Sequence, residues 1–245
     1  MIPVQWIQPD WPAPANVRAF VTTRHGGVST GEFASMNLGL HSGDERETVE
    51  KNRAIVRDQL PSAPRWMKQV HGIGVGDLDG IGADEVPTAD AAVTGEAGRV
   101  AVVLTADCMP LFLCDVEGKR VGVAHAGWRG MAAGVIEATV RALGSKPGDV
   151  LAWLGPTIGP TAFEVGPEVR SAFADVDARA ASAFVPHGSG KYMADLYALA
   201  LQRLERSGVR SVSGGGFCTF RDADRLFSYR RARASGRMGA FIWME

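Results

Sequence analysis

A thiol and an imidazole stand at the ends of neighbouring apolar runs. Asp107-Cys108 follows the run 100–104, and His125 closes the run 121–124 ahead of Ala126-Gly127. A second imidazole, His71, ends the segment 65–70 beside Gly72. Two imidazoles and one thiolate make a known catalytic zinc set, with a fourth position left for water or substrate. The same residues admit a reading without metal. Cys108 is then a nucleophile, His125 its base, and Asp107 or another acid the group that orients the imidazole. Residue types alone leave both readings open, beside the plain one of a buried thiol and two unrelated histidines.

Such groups need elements to position them. The runs 100–104, 111–114 and 121–124 have strand length and β-branched or bulky residues, with turn signals between them. Pro110 is expected to stop a ladder from passing through Asp107-Cys108, because proline cannot donate to one. Upstream, 18–23 reads as a strand, followed by the glycine-bearing loop 24–29 and a polar loop at 35–44. Asp44 and Glu47 are spaced as a capping box for a helix that carries Val49, Val56 and Leu60 and ends before Pro61. Residues 65–70 read as a short strand, 72–88 as a surface loop and 89–94 as a return to the sheet. Trp128 opens a helix with Met131, Val135 and Leu143 on one face and Gly144 as its stop. Beyond it, 150–154 reads as a strand, 167–174 and 191–206 as helices, and Gly214–Gly216 as the end of another strand. The runs 226–230 and 238–244 are strand-like. No repeat or low-complexity linker divides the chain, so the pattern predicts a single α/β domain, 1–245, with a mixed sheet.

Composition sets the class. The chain has 245 residues, 46% hydrophobic and 22% charged, with a formal net charge of −1. That balance gives no electrostatic argument for nucleic acid or an anionic membrane, and no apolar run reaches the length of a spanning helix. An odd set of three cysteines and a start without a basic-then-apolar segment point to a reducing, cytoplasmic setting. Gly-Ser-Gly at 188–190 and the triple glycine lack the Gly-Lys-Ser/Thr of a phosphate loop, and no dinucleotide fingerprint is present.

The remaining candidates read modestly. Cys114 lies within an apolar run and is expected in the core, and Cys218 is expected to be structural. His187 belongs to a surface loop. His25 and His41 sit in polar loops, His41 being the better functional candidate because Asn37 and Asp44 are close in sequence. Arg24, Arg129 and Arg230 each offer a planar fork of donors suited to an anion. Trp66, Trp128, Trp153 and Trp243 adjoin apolar runs and are expected in the core.

Several segments together carry a resemblance. Lys68-Gln69-Val70-His71-Gly72, Thr105-Ala106-Asp107-Cys108-Met109-Pro110 and Ala124-His125-Ala126-Gly127-Trp128-Arg129-Gly130 resemble hallmark segments of the YfiH/DUF152 family. Its members go by purine nucleoside phosphorylase, formerly polyphenol oxidase or laccase domain proteins, and are related to human laccase domain-containing protein 1. The match extends to Thr22–Ser29, Asn37-Leu38-Gly39, Leu154–Pro160, Phe227–Arg231 and Gly236-Arg237-Met238, in order and over nearly the whole chain.

The resemblance implies a single α/β (α+β) domain with a layered mixed β core flanked by helices, similar to toxin deamidases that use a Cys–His pair. It also implies a catalytic Zn2+ on His71, Cys108 and His125. The implied activity is phosphorolysis of adenosine, inosine and S-methyl-5′-thioadenosine, with adenosine deamination besides. Asp107 is the candidate for proton transfer or for support of a ligand histidine, and Arg24, Asn37, His41, Arg129 and Arg230 are the candidates for holding nucleoside and phosphate. Cu2+ is the alternative metal, since the donor set suits copper as well. A laccase needs several coppers, however, and five histidines without a His-x-His motif do not furnish them. An amidase that edits UDP-linked muropeptides, precursors of peptidoglycan, is a further alternative and would use the same zinc site. A monomer or weak homo-oligomer is expected, with no nucleic-acid partner.

Overall fold

A computed structural model describes residues 2–82 and 85–245. Its elements in chain order are β1 (Val17–Val21), α1 (Arg46–Arg57), β2 (Val75–Asp77), β3 (Ala91–Thr94), β4 (Ala101–Thr105), β5 (Met109–Asp115), β6 (Val121–Ala126), α2 (Trp128–Ala133) and α3 (Val135–Leu143). There follow β7 (Val150–Leu154), β8 (Glu164–Val165), α4 (Pro167–Ala174), β9 (Phe184–His187), β10 (Lys191–Ala194), α5 (Leu196–Arg206), β11 (Ser211–Gly214) and β12 (Met238–Met244).

Period-two alternation divides the strands between two cores. Met109, Leu111 and Leu113 of β5 face the helices α2–α5 together with Ala124 of β6 and Ala152 of β7. The alternate residues Phe112, Cys114, Val123 and Trp153 face the other way, onto Val21, Ala240 and Ile242 of a second sheet. That second sheet, in the order β1-β12-β4 and antiparallel, turns Phe20, Phe241 and Trp243 outward onto Met36, Leu38 and Val56. The main sheet is mixed and six-stranded, in the order β11-β7-β5-β6-β3-β2. Every residue of β5, β6 and β7 is buried, as expected of strands covered on both faces. A small sheet β8-β10-β9 completes the mixed α/β layering. Among the described residues, no helix is long and apolar enough to cross a membrane.

Several expectations need correction. Pro110 lies inside β5, opposite His125, and does not stop the ladder. Its carbonyl accepts from Gly155 N (2.9 Å), and the Gly155 carbonyl is served by the Tyr197 hydroxyl (3.1 Å), so the missing proline N–H leaves no orphan acceptor there. Residues 65–70 form no strand, only isolated bridges at Arg65 and Lys68. The segment 72–88 contains β2, while its positions 83 and 84 lie outside the described residues. Asp44 does not cap α1. Its carboxylate instead accepts from Ser29 Oγ (2.6 Å) and Asn37 Nδ2 (3.0 Å). The helix after Trp128 is broken at Gly134, whose φ of 107° only glycine adopts readily, and resumes as α3 up to Gly144. The predicted helix 191–206 is a strand followed by a helix. Asp195 caps α5 by accepting from Tyr197 N and Ala198 N, and Lys191–Ala194 pairs with β9. Residues 226–230 form no strand and end in a turn at Tyr229-Arg230.

Candidate metal centre and its surroundings

The strands β4, β6, β7 and β11 all end on one side of the molecule, and β5 begins there. Cys108 precedes β5 and His125 is the penultimate residue of β6, so the antiparallel pairing of these two strands sets thiol beside imidazole. His71 arrives from a loop, its backbone in the left-handed region at φ 58°. The His71 and His125 rings meet edge to face with centroids 4.8 Å apart. One ligand atom from each of His71, Cys108 and His125 lies within 4.8 Å of the others.

Asp90, wholly buried just before β3, organises both histidines. Its Oδ1 accepts from His125 Nδ1 and from His71 N, each at 2.9 Å. Its Oδ2 accepts from Val70 N (3.1 Å) and Gly72 N (2.7 Å), and its carbonyl accepts from His125 N (2.7 Å). A carboxylate on Nδ1 fixes the tautomer of His125 and leaves Nε2 free to ligate. Burial alone would push the Cys108 thiol up. The His125 charge, with hydrogen bonds from His125 and His71, more than reverses this and draws it well down. His125 moves the opposite way: burial lowers it, but Cys108 and Asp90 hold it above the ordinary histidine value. A thiol disposed to lose its proton beside two imidazoles fits a metal of the zinc class. Gly127 completes the cradle, since a Cβ there would lie 2.6 Å from Cys108 Sγ and 3.4 Å from His71 Cδ2.

The other expected residues divide. Asp107 stands next to the cluster at φ 84°, but it does not support a ligand histidine, a task that falls to Asp90. Its carboxylate accepts from Thr219 Oγ1 (2.5 Å) and Arg230 N (2.7 Å), and its carbonyl from Ile158 N (3.0 Å), which ties three loops to the site's floor. Arg24 donates through Nε to the Ala34 carbonyl and through Nη1 to the Ala223 carbonyl, and covers the Phe227 ring. Asn37 is buried, with Oδ1 accepting from Gly39 N and Arg237 N. His41 is exposed, with no hydrogen bond to a described residue. Arg129 is exposed in the first turn of α2, over Trp128. Arg230 donates to the Glu164 carbonyl (3.0 Å) and lies over Phe163. Cys114 is wholly buried, its thiol pushed up to about 12 by burial and by Asp115. Cys218 is buried and accepts from Gly159 N, and His187 is exposed on β9.

Asp90 and Arg237 were not among the expected site residues. The signal for Asp90 was a lone acid heading an apolar strand, Asp90-Ala91-Ala92-Val93, where a buried charge demands partners. Arg237 lay within a resembling motif without a role.

This chain is similar to named and solved relatives over nearly its whole length. A purine nucleoside phosphorylase of Pseudomonas aeruginosa is 52% identical over 98% of both chains. The Escherichia coli purine nucleoside phosphorylase YfiH is 49% identical over 97% of this chain and 98% of its own. The crystal structure of a Neisseria meningitidis DUF152 protein superposes with a TM-score of 0.95, at 46% identity, over 98% of this chain and 99% of that one. YlmD from Geobacillus stearothermophilus follows with a TM-score of 0.88 at 30% identity, covering 98% and 96%. The family model described as multi-copper polyphenol oxidoreductase laccase matches residues 18–245. With that span and those relatives, the chain belongs to the YfiH/DUF152 family.

Proposed function

We propose that this chain is a zinc-dependent purine nucleoside phosphorylase for adenosine, inosine and S-methyl-5′-thioadenosine, with adenosine deamination as a second activity of the same site. The observation that carries this reading is the three-donor cluster of His71, Cys108 and His125, intact in a chain 52% identical to a protein named for that reaction. A zinc ion held by the three would supply Lewis-acid polarisation and charge neutralisation.

The protein's own share follows from its hydrogen bonds. Asp90 keeps the proton of His125 on Nδ1 and aims Nε2 into the site, while its grip on three consecutive amides fixes His71. Asp107 holds the loops around Thr219 and Arg230 against the cluster and so shapes the cleft for substrate. In phosphorolysis an oxygen lone pair of hydrogen phosphate forms a bond to C1′ as the C1′–N9 bond breaks. The electrons of that bond leave with the purine, which takes up the proton that phosphate gives up, and the products are a free base and a sugar 1-phosphate. Orientation of the two reactants is the protein's main lever in such a step. One three-donor cluster of this kind lies among the described residues, enough for a single ion and short of what a multicopper oxidase uses.

The test is metal analysis of the purified protein beside an adenosine assay with and without phosphate, with products resolved into adenine, inosine and hypoxanthine and Cys108→Ala as control. About one zinc per chain, with phosphate-dependent adenine that is lost in the variant, is the expected result. Inosine formed without phosphate would put deamination first. Zinc without nucleoside turnover would point to amide hydrolysis on a muropeptide, and a metal-free protein would sink the reading.

A further inference from the structure

Arg237 is held beside the cluster with half of its guanidinium unused. The β12–β4 register pairs Met238 with Thr105, which sets Arg237 against the turn 106–108 that carries Asp107 and Cys108. Its backbone N donates to Asn37 Oδ1 (2.8 Å), and Asn37 is itself fixed through Nδ2 by Ser42 and Asp44. The aliphatic stem passes over Gly39, where a Cβ would lie 2.6 Å from Arg237 Cγ, so that side of the stem is closed. Nη1 donates to the Ser235 (2.6 Å) and Gly236 (3.1 Å) carbonyls, and the guanidinium carbon lies 5.6 Å from the centre of the half-exposed Tyr229 ring.

Both acceptors are neutral. Among the described residues no carboxylate forms an ion pair with Arg237, and Nε and Nη2 have no acceptor, although burial penalises the charge. Arg203 and Arg120, by contrast, are paired with carboxylates, Arg203 with Glu137 and Arg120 with Asp77 and Asp79. Cys108 and Asp107 are near enough to favour the charge without bonding to it, and an immobilised, partly buried guanidinium with two donor atoms free is suited to a tetrahedral oxyanion, which accepts two parallel N–H bonds.

Building on the phosphorylase reading, we propose that Arg237 binds the attacking phosphate and thereby decides between phosphorolysis and reaction with water. Held through Nε and Nη2, hydrogen phosphate stands next to the Cys108 turn with an oxygen directed at C1′. Without that grip water competes for the same carbon or for the purine ring.

The test uses metal-loaded enzyme as wild type, Arg237→Gln and Arg237→Lys, with metal content and thermal unfolding measured for each. Two readouts follow: KM for phosphate against KM and kcat for inosine, and the rise in Tm on adding inorganic phosphate. Loss of two charge-assisted hydrogen bonds raises the phosphate KM about 10- to 100-fold in Arg237→Gln, with nucleoside KM and metal content unchanged. Arg237→Lys, which keeps the charge without the fork, falls between the two. An unchanged phosphate KM, or a fall in kcat alone, would overturn the proposal, as would loss of metal from both variants. Should wild type show no phosphate-dependent turnover, the phosphorylase reading fails, and the Tm readout still decides the oxyanion site. A phosphate-induced rise present in wild type and absent in Arg237→Gln supports it; an equal rise in both, or none in wild type, refutes it.

Discussion

Asp90 binds His125 and the His71 loop with one carboxylate, its Oδ1 standing 2.9 Å from both His125 Nδ1 and His71 N. Two candidate ligands that are 54 positions apart in sequence therefore depend on a single buried side chain for their relative placement. Asp90→Asn keeps the shape but turns an N–H₂ group toward backbone donors at Val70 and Gly72. The expected result is a loss of metal affinity of about 10- to 100-fold, of the order seen when outer partners of ligand histidines are removed. Unsatisfied donors add about 1–3 kcal/mol of destabilisation. Competition with a chromophoric chelator measures the first and urea unfolding of the metal-free protein the second. Unchanged affinity would mean that the pair does not orient His125.

Gly127 tests whether the cradle is as tight as its geometry says. An alanine Cβ there would approach Cys108 Sγ to 2.6 Å, and Cys108 is flanked by β5 on one side and the Asp107 turn on the other, so little can yield. Gly127→Ala should displace the thiol, with metal occupancy falling well below that of wild type and a stability loss of about 1–3 kcal/mol. Metal analysis after gel filtration and a thermal melt read both quantities. Full occupancy in the variant would show that Sγ has room to move.

Legibility followed how each segment satisfies its backbone. The central strands were readable because burial on both faces forces continuous apolar runs, and the donors at their ends were visible as breaks in those runs. Residues 65–70 looked like a strand, yet the Gln69 side chain occupies Leu104, donating to its carbonyl (2.9 Å) and accepting from its N–H (2.7 Å). A side chain replaces the ladder, and alternation cannot reveal that. The run 226–230 has apolar residues at strand spacing, but its N–H groups find partners outside any ladder, Leu226 N donating to Asp222 O (2.8 Å) and Arg230 N to the Asp107 carboxylate (2.7 Å). In 191–206 the break lay in view: Asp195 is a good N-cap, which the longer helical pattern concealed. Three donors at long spacing were legible as residue types, whereas their convergence required the β5–β6 pairing and Asp90, which no local pattern encodes.

Asp79 gives the chain a pH-dependent tie at the β3 end. Burial pushes its carboxyl up, but hydrogen bonds from Thr94 Oγ1 and Gly95 N and the charges of Arg120 and Arg99 outweigh that, and the folded pKa lies below the ordinary value. A depressed carboxyl stabilises the fold above its unfolded pKa of about 3.9, and the contribution fades as pH falls below that toward the folded pKa. The group is partly solvated, so the effect is about 1 kcal/mol or less. Asp79→Asn should therefore cost more stability at pH 7 than at pH 3 in matched urea titrations. An equal cost at both values would assign the loss to packing and not to charge.

Arg203 joins α5 to the helices that cover β6. Its Nη1 pairs with Glu137 Oε1 of α3 at 2.9 Å, its Nη2 donates to the Ala132 carbonyl at the end of α2 (3.1 Å), and its guanidinium lies over Phe173 of α4. Glu137 Oε2 is buried without a partner, so Arg203 is the only group compensating that carboxylate among the described residues. Removing the arginine alone strands a buried charge, and Arg203→Met should cost about 3–5 kcal/mol. Replacing both partners removes the charge with its counter-charge, so Arg203→Met with Glu137→Leu should recover most of that loss. A double-mutant cycle in urea measures the coupling directly. Additive losses would show that the pair acts only through packing. The site gives a second readout, because α2 begins directly after Gly127: in the single variant, loosened helices should let metal exchange faster, and the double variant should restore the slow rate.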